Sequence, residues 1–296
     1  MSDADEFALA TTDQYASEHR RSRVVGAIKA TAAYTVLTIF LIGSVGPFLY
    51  LLSPSFRNSV ELFNYPPEWF PHSFYTANFG FILNQTSYLR WALNTLIVAS
   101  SITVITVAID SLAGYAFARL DFPGKQVLFI SIISTLMIPV AALLAPLYLT
   151  VKMLHMLNSY PGLILPMVVS PLGVFMMRQF IGTLPEGLCE AARLDGASEL
   201  MIFRRIVLPL IKPAIVVLGI FVFMTQWVNF LWPLVATTSD DMRTLTVGIA
   251  ALEGQFVTNW GYISAAAVMT MVPITIVFLI FQRWFVQASM AGALKQ

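Results

Sequence analysis

At 296 residues, 57% hydrophobic and 11% charged, with a mean hydropathy of +0.75, the chain lies outside the range of soluble globular domains, which carry about 25% charged residues. The net charge of +1 carries little information, and no nucleic-acid partner is expected. A lone cysteine, Cys189, excludes an internal disulfide.

Residues 1–23 are polar, acidic and then basic, without the apolar core and small-residue cleavage site of a signal peptide. They are expected to form a mobile cytoplasmic tail, with a short helix along the inner surface as the alternative. Six windows then follow at 30–52, 91–109 (running on to 118), 126–151, 159–177, 213–239 and 256–282. Crossing a bilayer core takes roughly 20 apolar residues, and none of these windows contains Asp, Glu, Lys or Arg. Asp110 falls only in the extension of the second window. One domain spanning the membrane, residues 24–296, accounts for the rest of the chain.

Residues 55–90, with the run NYPPEWFPHSFYTANF, have the composition of an ordered outer cap, because so many rings seek burial. The second window leaves through GYAFARLDFPGK, where Pro123-Gly124 marks a turn. Its Gly-Lys is not a phosphate-binding loop: Arg119 stands where the first glycine is required, and Gln126 follows the lysine. The chain itself is therefore expected to bind no cofactor and to hydrolyse no ATP. Pro139, Pro146, Pro161, Pro166 and Pro171 punctuate the third and fourth windows. They are read either as packing irregularities or as pliable points around a translocation path. Gln226, Trp227, Asn229 and Trp232 in the fifth window admit two readings. They serve interhelical hydrogen bonds worth about 0.6 kcal/mol, or they form a sugar-facing wall along a solute path. The loop at 235–262, with Asp240, Asp241, Arg243 and Glu253, is long enough to reach a soluble partner outside.

With the N-terminus inside, all of the 17 Lys and Arg except Arg57, Arg90, Lys152 and Arg243 fall on the cytoplasmic side. The positive-inside bias then places both termini in the cytoplasm. Trp260 and Trp284, about 36 Å apart along a helix, bracket the last window as interfacial anchors.

Between the fourth and fifth windows lies a polar, amphipathic segment at 183–213. Thr183-Leu184-Pro185-Glu186 fits a capping box with proline in the first turn. A helix over 188–194, a change of direction at Gly196 beside Asp195, and a second helix over 197–207 follow. Ala191 and Ala192 offer a close-approach surface, and Ile202, Phe203 and Ile206 an apolar face; together they suit insertion into a partner's groove. The plain alternative is a solvated hairpin at the interface. Asp110, about 13 Å deeper than Arg119 along its helix, is a costly intramembrane carboxylate. It is read as a contact with a partner subunit in preference to a role in the solute path.

The run EAARLDGASELMIFRRIVLP resembles the EAA motif of the membrane subunits of ABC-type importers. Glu190, Ala191, Ala192, Gly196, Ile206, Leu208 and Pro209 match it without a spacing error. Further segments, NTLIVAS, AGYAFARLDFPGK, WVNFLWPL and TLTVGIAALEGQFVTNWG, resemble the carbohydrate-uptake branch, close to the second membrane subunit of maltose-type transporters. The N-terminal tail and the final Gln296 depart from that pattern.

The resemblance implies an all-α integral membrane protein with six transmembrane helices and a coupling loop, the type I importer permease fold, in the bacterial inner membrane. It also implies a complex with a second homologous permease, an external solute-binding protein and two ATPase subunits that hold ATP and Mg. The solute would be a sugar. An ion-gradient-driven secondary transporter would explain the spans and Asp110 but not the motif. A membrane enzyme is weaker still, because His19, His72 and His155 form no metal or nucleophile spacing.

Overall fold

The structure is a computed structural model that describes residues 3–58, 61–63, 74–255 and 259–293. The side chains of 3–25, 27, 254–255 and 284–293 are outside the description. Among the described residues all regular elements are helices, without strands.

Helix α1 runs from Asp3 to Ser55. The segment expected as a separate tail is thus helical from its third residue and continuous with the first span. No proline or glycine occurs before Gly26 to interrupt the helix. Its apolar part, Ile28–Ser55, is exposed along nearly all of its length. Of the outer cap, only the ends are described. Phe56 meets Phe74 and Phe79 there, and α2 (Ala77–Gln85) leads into α3 (Tyr88–Arg119). His72 lies outside the described residues.

Helix α3 is the spine. Trp91, Thr95, Val98, Ile102, Thr106, Asp110, Gly114 and Phe117 are buried along it at three- and four-residue steps, the spacing of a single face. Lipid tails are as apolar as leucine, so close van der Waals packing rather than release of water holds this face to its neighbours.

The third and fourth windows are broken rather than straight. Helix α4 (Lys125–Ser134) ends in a tight turn at Thr135–Met137, and α5 (Val140–Met153) leaves at 105°. Pro139 at the break withholds a donor and keeps Ile138 extended. Next, α6 (Tyr160–Ile164) and the turn at Leu165–Met167 meet α7 (Pro171–Gly182) at 47°, with Pro171 opening the new helix. Pro139 and Pro171 therefore mark bends, whereas Pro161 sits in the first turn of α6 and Pro146 within α5.

The polar segment forms α8 (Glu186–Leu194), α9 (Glu199–Ile202), a π-helical stretch at Phe203–Val207 and α10 (Leu208–Leu210). A 79° bend then turns the chain into α11 (Lys212–Trp227). The fifth window does not continue as one helix to 239. It breaks after Trp227 and resumes as α12 (Leu231–Ala236). Loop 235–262 is likewise not a free arm. It contains α13 (Leu245–Gln255), whose Leu245, Val247 and Leu252 are buried. Last comes α14 (Trp260–Ala293), which begins four residues later than the window expected from composition. Trp260 stands exposed at its start, while the Trp284 side chain is outside the description.

Among the described residues, three uninterrupted helices and three bent pairs are long and apolar enough to cross a membrane. The main core gathers Ile102, Tyr115, Met177, Ile181, Phe203 and Leu218 from α3, α7, the π-helical stretch and α11. A second cluster, with Trp91, Trp227 and Leu245, lies toward the other end of α3.

Candidate functional site

The segment after α7 is organised around one glycine. Gly196 has φ of +80°, a conformation that side chains resist, and nothing lies within 4 Å of where its Cβ would stand. Of the two reasons expected for a glycine here, positive φ and close backbone approach, only the first applies. The N–H of Gly196 donates to Arg193 O at 3.0 Å and that of Ala197 to Ala192 O at 3.0 Å, the paired bonds of a Schellman ending for α8. Two residues on, Ser198 caps α9, its Oγ accepting from Met201 N at 3.4 Å.

The expected capping box at Thr183–Glu186 does not form. The Thr183 hydroxyl donates back to Phe180 O at 2.8 Å, so the residue closes α7, and Pro185 precedes α8 without a side-chain cap. Glu186 reaches instead to Arg119, 3.6 Å away.

Burial divides the motif residues. Cys189, Ile202, Phe203 and Val207 are buried in the main core, with the Phe203 ring 5.3 Å from that of Tyr115. Ile202 and Phe203, expected to face a partner, are instead buried in the main core with residues of α3 and α7 and hold the loop to its own membrane domain. Ile206 and Leu208 are half-buried against the same core, and Pro209 is exposed. The outward surface carries Glu190, Ala191, Asp195 and Gly196, with Ala192 half-buried. It also carries Leu188, Leu200, Met201 and Leu194, the last 89% exposed.

A polar cluster that the sequence reading missed fastens this loop. Arg193 Nε lies 2.7 Å from Glu199 Oε1, and the Tyr115 hydroxyl donates to Glu199 Oε2. The hydrogen bond from Arg193 holds the Glu199 carboxyl below its usual range and raises Arg193 in turn. Arg119 has a side chain only 5% exposed and donates to Ile181 O at 2.9 Å and to Leu184 O. Arg193 also donates to Arg119 O at 3.3 Å. The available signal was the pair Arg193 and Glu199 flanking the turn glycine at helical-hairpin spacing.

Asp110 is fully buried inside this chain. Its Oδ1 accepts a long bond of 3.5 Å from Ser170 N at the head of α7, which removes it as a contact with a partner subunit. The proposed wall residues separate too. Trp227 and Trp232 are buried, their indole N–H groups donating to Thr270 O at 3.2 Å and Gly162 O at 3.1 Å. Gln226 and Asn229 stay half-exposed and bond to each other at 3.0 Å. Beside them opens a cavity of about 420 Å³ lined by Phe230, Thr246, Ile249, Glu253, Thr270 and Met271, none of which sequence reading had singled out for the path. Among the described residues, no group of three His, Cys, Asp or Glu is placed to hold a metal ion.

The family model described as binding-protein-dependent transport system inner membrane component matches residues 110–289. The arabinooligosaccharides transport system permease protein AraQ of Halalkalibacterium halodurans is 38% identical over 255 residues, covering 85% of this chain and 91% of that protein. The sulfoquinovosyl glycerol transport system permease protein SmoH of Agrobacterium fabrum is 34% identical over 264 residues, 88% and 93% of the two chains. Among solved structures, a chain of a bacterial ABC transporter involved in import of the acidic polysaccharide alginate superposes with a TM-score of 0.76. It shares 21% identity and covers 90% of this chain and 98% of that one, which supports the fold. The chain is thus a multi-pass inner-membrane transport subunit and not an enzyme, and it belongs to the family of binding-protein-dependent transport system inner membrane components.

Proposed function

We propose that this chain forms half of the translocation pathway of an ATP-driven importer for sugars of the oligosaccharide or glycoside class, and that the loop from α8 to α10 couples it to a separate ATPase. The observation that carries the reading is the two-sided loop. One side is fastened into the membrane domain by Cys189, Ile202, Phe203 and Val207. The other presents exposed Leu194, Leu200 and Met201 beside Glu190 and Asp195 around a rigid turn. A protruding apolar tip with acidic neighbours, on a hairpin closed by the paired hydrogen bonds around Gly196, has the form of a knob for a groove in a soluble partner. Relatives named for arabinooligosaccharides and sulfoquinovosyl glycerol support the solute class.

In this reading the partners are a second homologous permease, two ATPase subunits carrying ATP and Mg, and an external solute-binding protein. The tail and both termini are cytoplasmic. Closure of the ATPase pair would displace the loop, and with it α7 and α11. The solute would pass along Gln226, Asn229 and the adjoining cavity. An ion-gradient mechanism loses its main support, since Asp110 is sealed between α3 and α7.

The test is Gly196→Asp in the assembled transporter. It should leave membrane insertion intact, abolish copurification of the ATPase, and stop uptake while the external protein still binds solute. Glu190→Ala should be milder, because exposed ion pairs are worth about 1 kcal/mol or less. Full ATPase association and normal uptake in Gly196→Asp would refute the coupling role.

A further inference from the structure

Asp110 is not explained by coupling or by solute passage, and its surroundings are unusual. Its Oδ2, the Thr106 hydroxyl and the Ser111 hydroxyl are buried without a partner. Across from it lies the N-terminus of α7, where Ser170 N–H meets Oδ1 and the Ser170 hydroxyl accepts from Gly173 N at 3.1 Å. A Cβ on Gly173 would overlap Oδ2, so the carboxylate is laid directly on the first turn of the helix. At its other end α7 meets Arg119, whose guanidinium donates to Ile181 O and Leu184 O. Between the two, Gly114 leaves no room for a side chain against Met177 and the Arg178 backbone.

An acceptor oxygen at the N-terminal end and a guanidinium at the C-terminal end each complement the dipole of α7. Both come from α3, about 13 Å apart along its axis, against about 17 Å for the length of α7. We propose that Asp110 is a positioning residue: with Arg119 it clamps α7 to α3 at both ends, so that the two helices move as one lever between the cytoplasmic loop and the bend at 168–170. The inference rests on the coupling role proposed above for what the lever transmits, but not for the clamp itself.

The single cysteine supplies the test. Cys189 is 2% exposed, packed in the core that also contains Met177 and Ile181 of α7. It is therefore alkylated only when the packing of α8 against α3 and α7 opens. Asp110→Asn keeps an oxygen for Ser170 N–H and puts an amide donor where Oδ2 faces the first turn of α7. In the full-length chain assembled with its partner permease in nanodiscs, this variant should speed N-ethylmaleimide labelling of Cys189 by about fivefold or more. Gly173→Ala, which attacks the same contact from α7, should do so too if the first variant fails to accumulate. The double change Asp110→Ala with Gly173→Ala removes the overlap but restores no acceptor at the head of α7, so labelling should stay fast. A wild-type rate in Asp110→Asn, or a return to that rate in the double variant, would overturn the clamp and leave a local packing contact. ATPase recruitment that survives Gly196→Asp would sink the coupling role instead and leave the Cys189 result standing.

Discussion

Trp232 and Asn229 are three residues apart and have different work. The Trp232 indole is enclosed, and its N–H is the donor for Gly162 O, a carbonyl at the proline-bearing first turn of α6. Removing that donor leaves a buried carbonyl unmatched, which costs about 1–3 kcal/mol. Trp232→Phe is accordingly expected to lower the thermal midpoint of the purified protein while leaving solute preference unchanged. Asn229 bonds only to its neighbour Gln226 through the side chain, at the edge of the cavity lined by Phe230 and Glu253. Asn229→Ala is expected to change the apparent affinity for transported sugars, by about threefold to tenfold on the scale of one hydrogen bond, with assembly intact. If uptake kinetics for several sugars are unaltered, Asn229 belongs to packing; if Trp232→Phe shifts preference instead, the two roles are reversed.

At the scale of elements, the loop is held shut by charge at its neck. Arg193 at the end of α8 and Glu199 at the start of α9 face each other across the turn, with Tyr115 of α3 on the same carboxylate. The folded protein holds Glu199 below its usual value of 4.5, so its contribution is present above that value and is lost as pH falls through the folded value. Glu199→Gln should therefore melt earlier than wild type at pH 7, and the gap should close as the pH is taken below the ordinary carboxylate range. A gap that is constant with pH would mean that shape and not charge holds the neck. The loop also shows what sequence can carry. The helix, turn, helix order and the positive φ at Gly196 were legible, because glycine spacing and polarity encode them locally. Which face of the second helix looks inward was not: Ile202 and Phe203 read as an outward apolar face, whereas both are buried in the core, Phe203 against the Tyr115 ring. The breaks at 138–139 and 168–170 were legible as prolines but not as angles, since a bend depends on what packs across it. Asp110 read as a misfit because its partner, the backbone of Ser170, has no signature in side-chain chemistry.

At the scale of the whole molecule, exposure alone does not call for protein partners. Ile28–Ser55 lies open along its length and α4 buries no residue, but lipid covers apolar helices without cost. The case for a complex comes from two features that lipid cannot satisfy. The loop from α8 to α10 presents leucines and a methionine among charges on a surface read as cytoplasmic, where water and not lipid surrounds it. The cavity proposed for the solute is lined by α13, α14 and Phe230, and in the proposed complex a second permease would complete it. On the proposed function, a chain whose loop couples to a separate ATPase, and whose sequence has no phosphate-cradling loop, should be inert by itself. Purified alone, it is expected to show no ATP turnover above the detergent blank. Expressed with its neighbouring subunits, it should copurify with one homologous permease and an ATPase, and turnover should then respond to the external binding protein. Sustained hydrolysis by the isolated chain, or full transport in vesicles that contain it alone, would overturn the division of labour proposed for it.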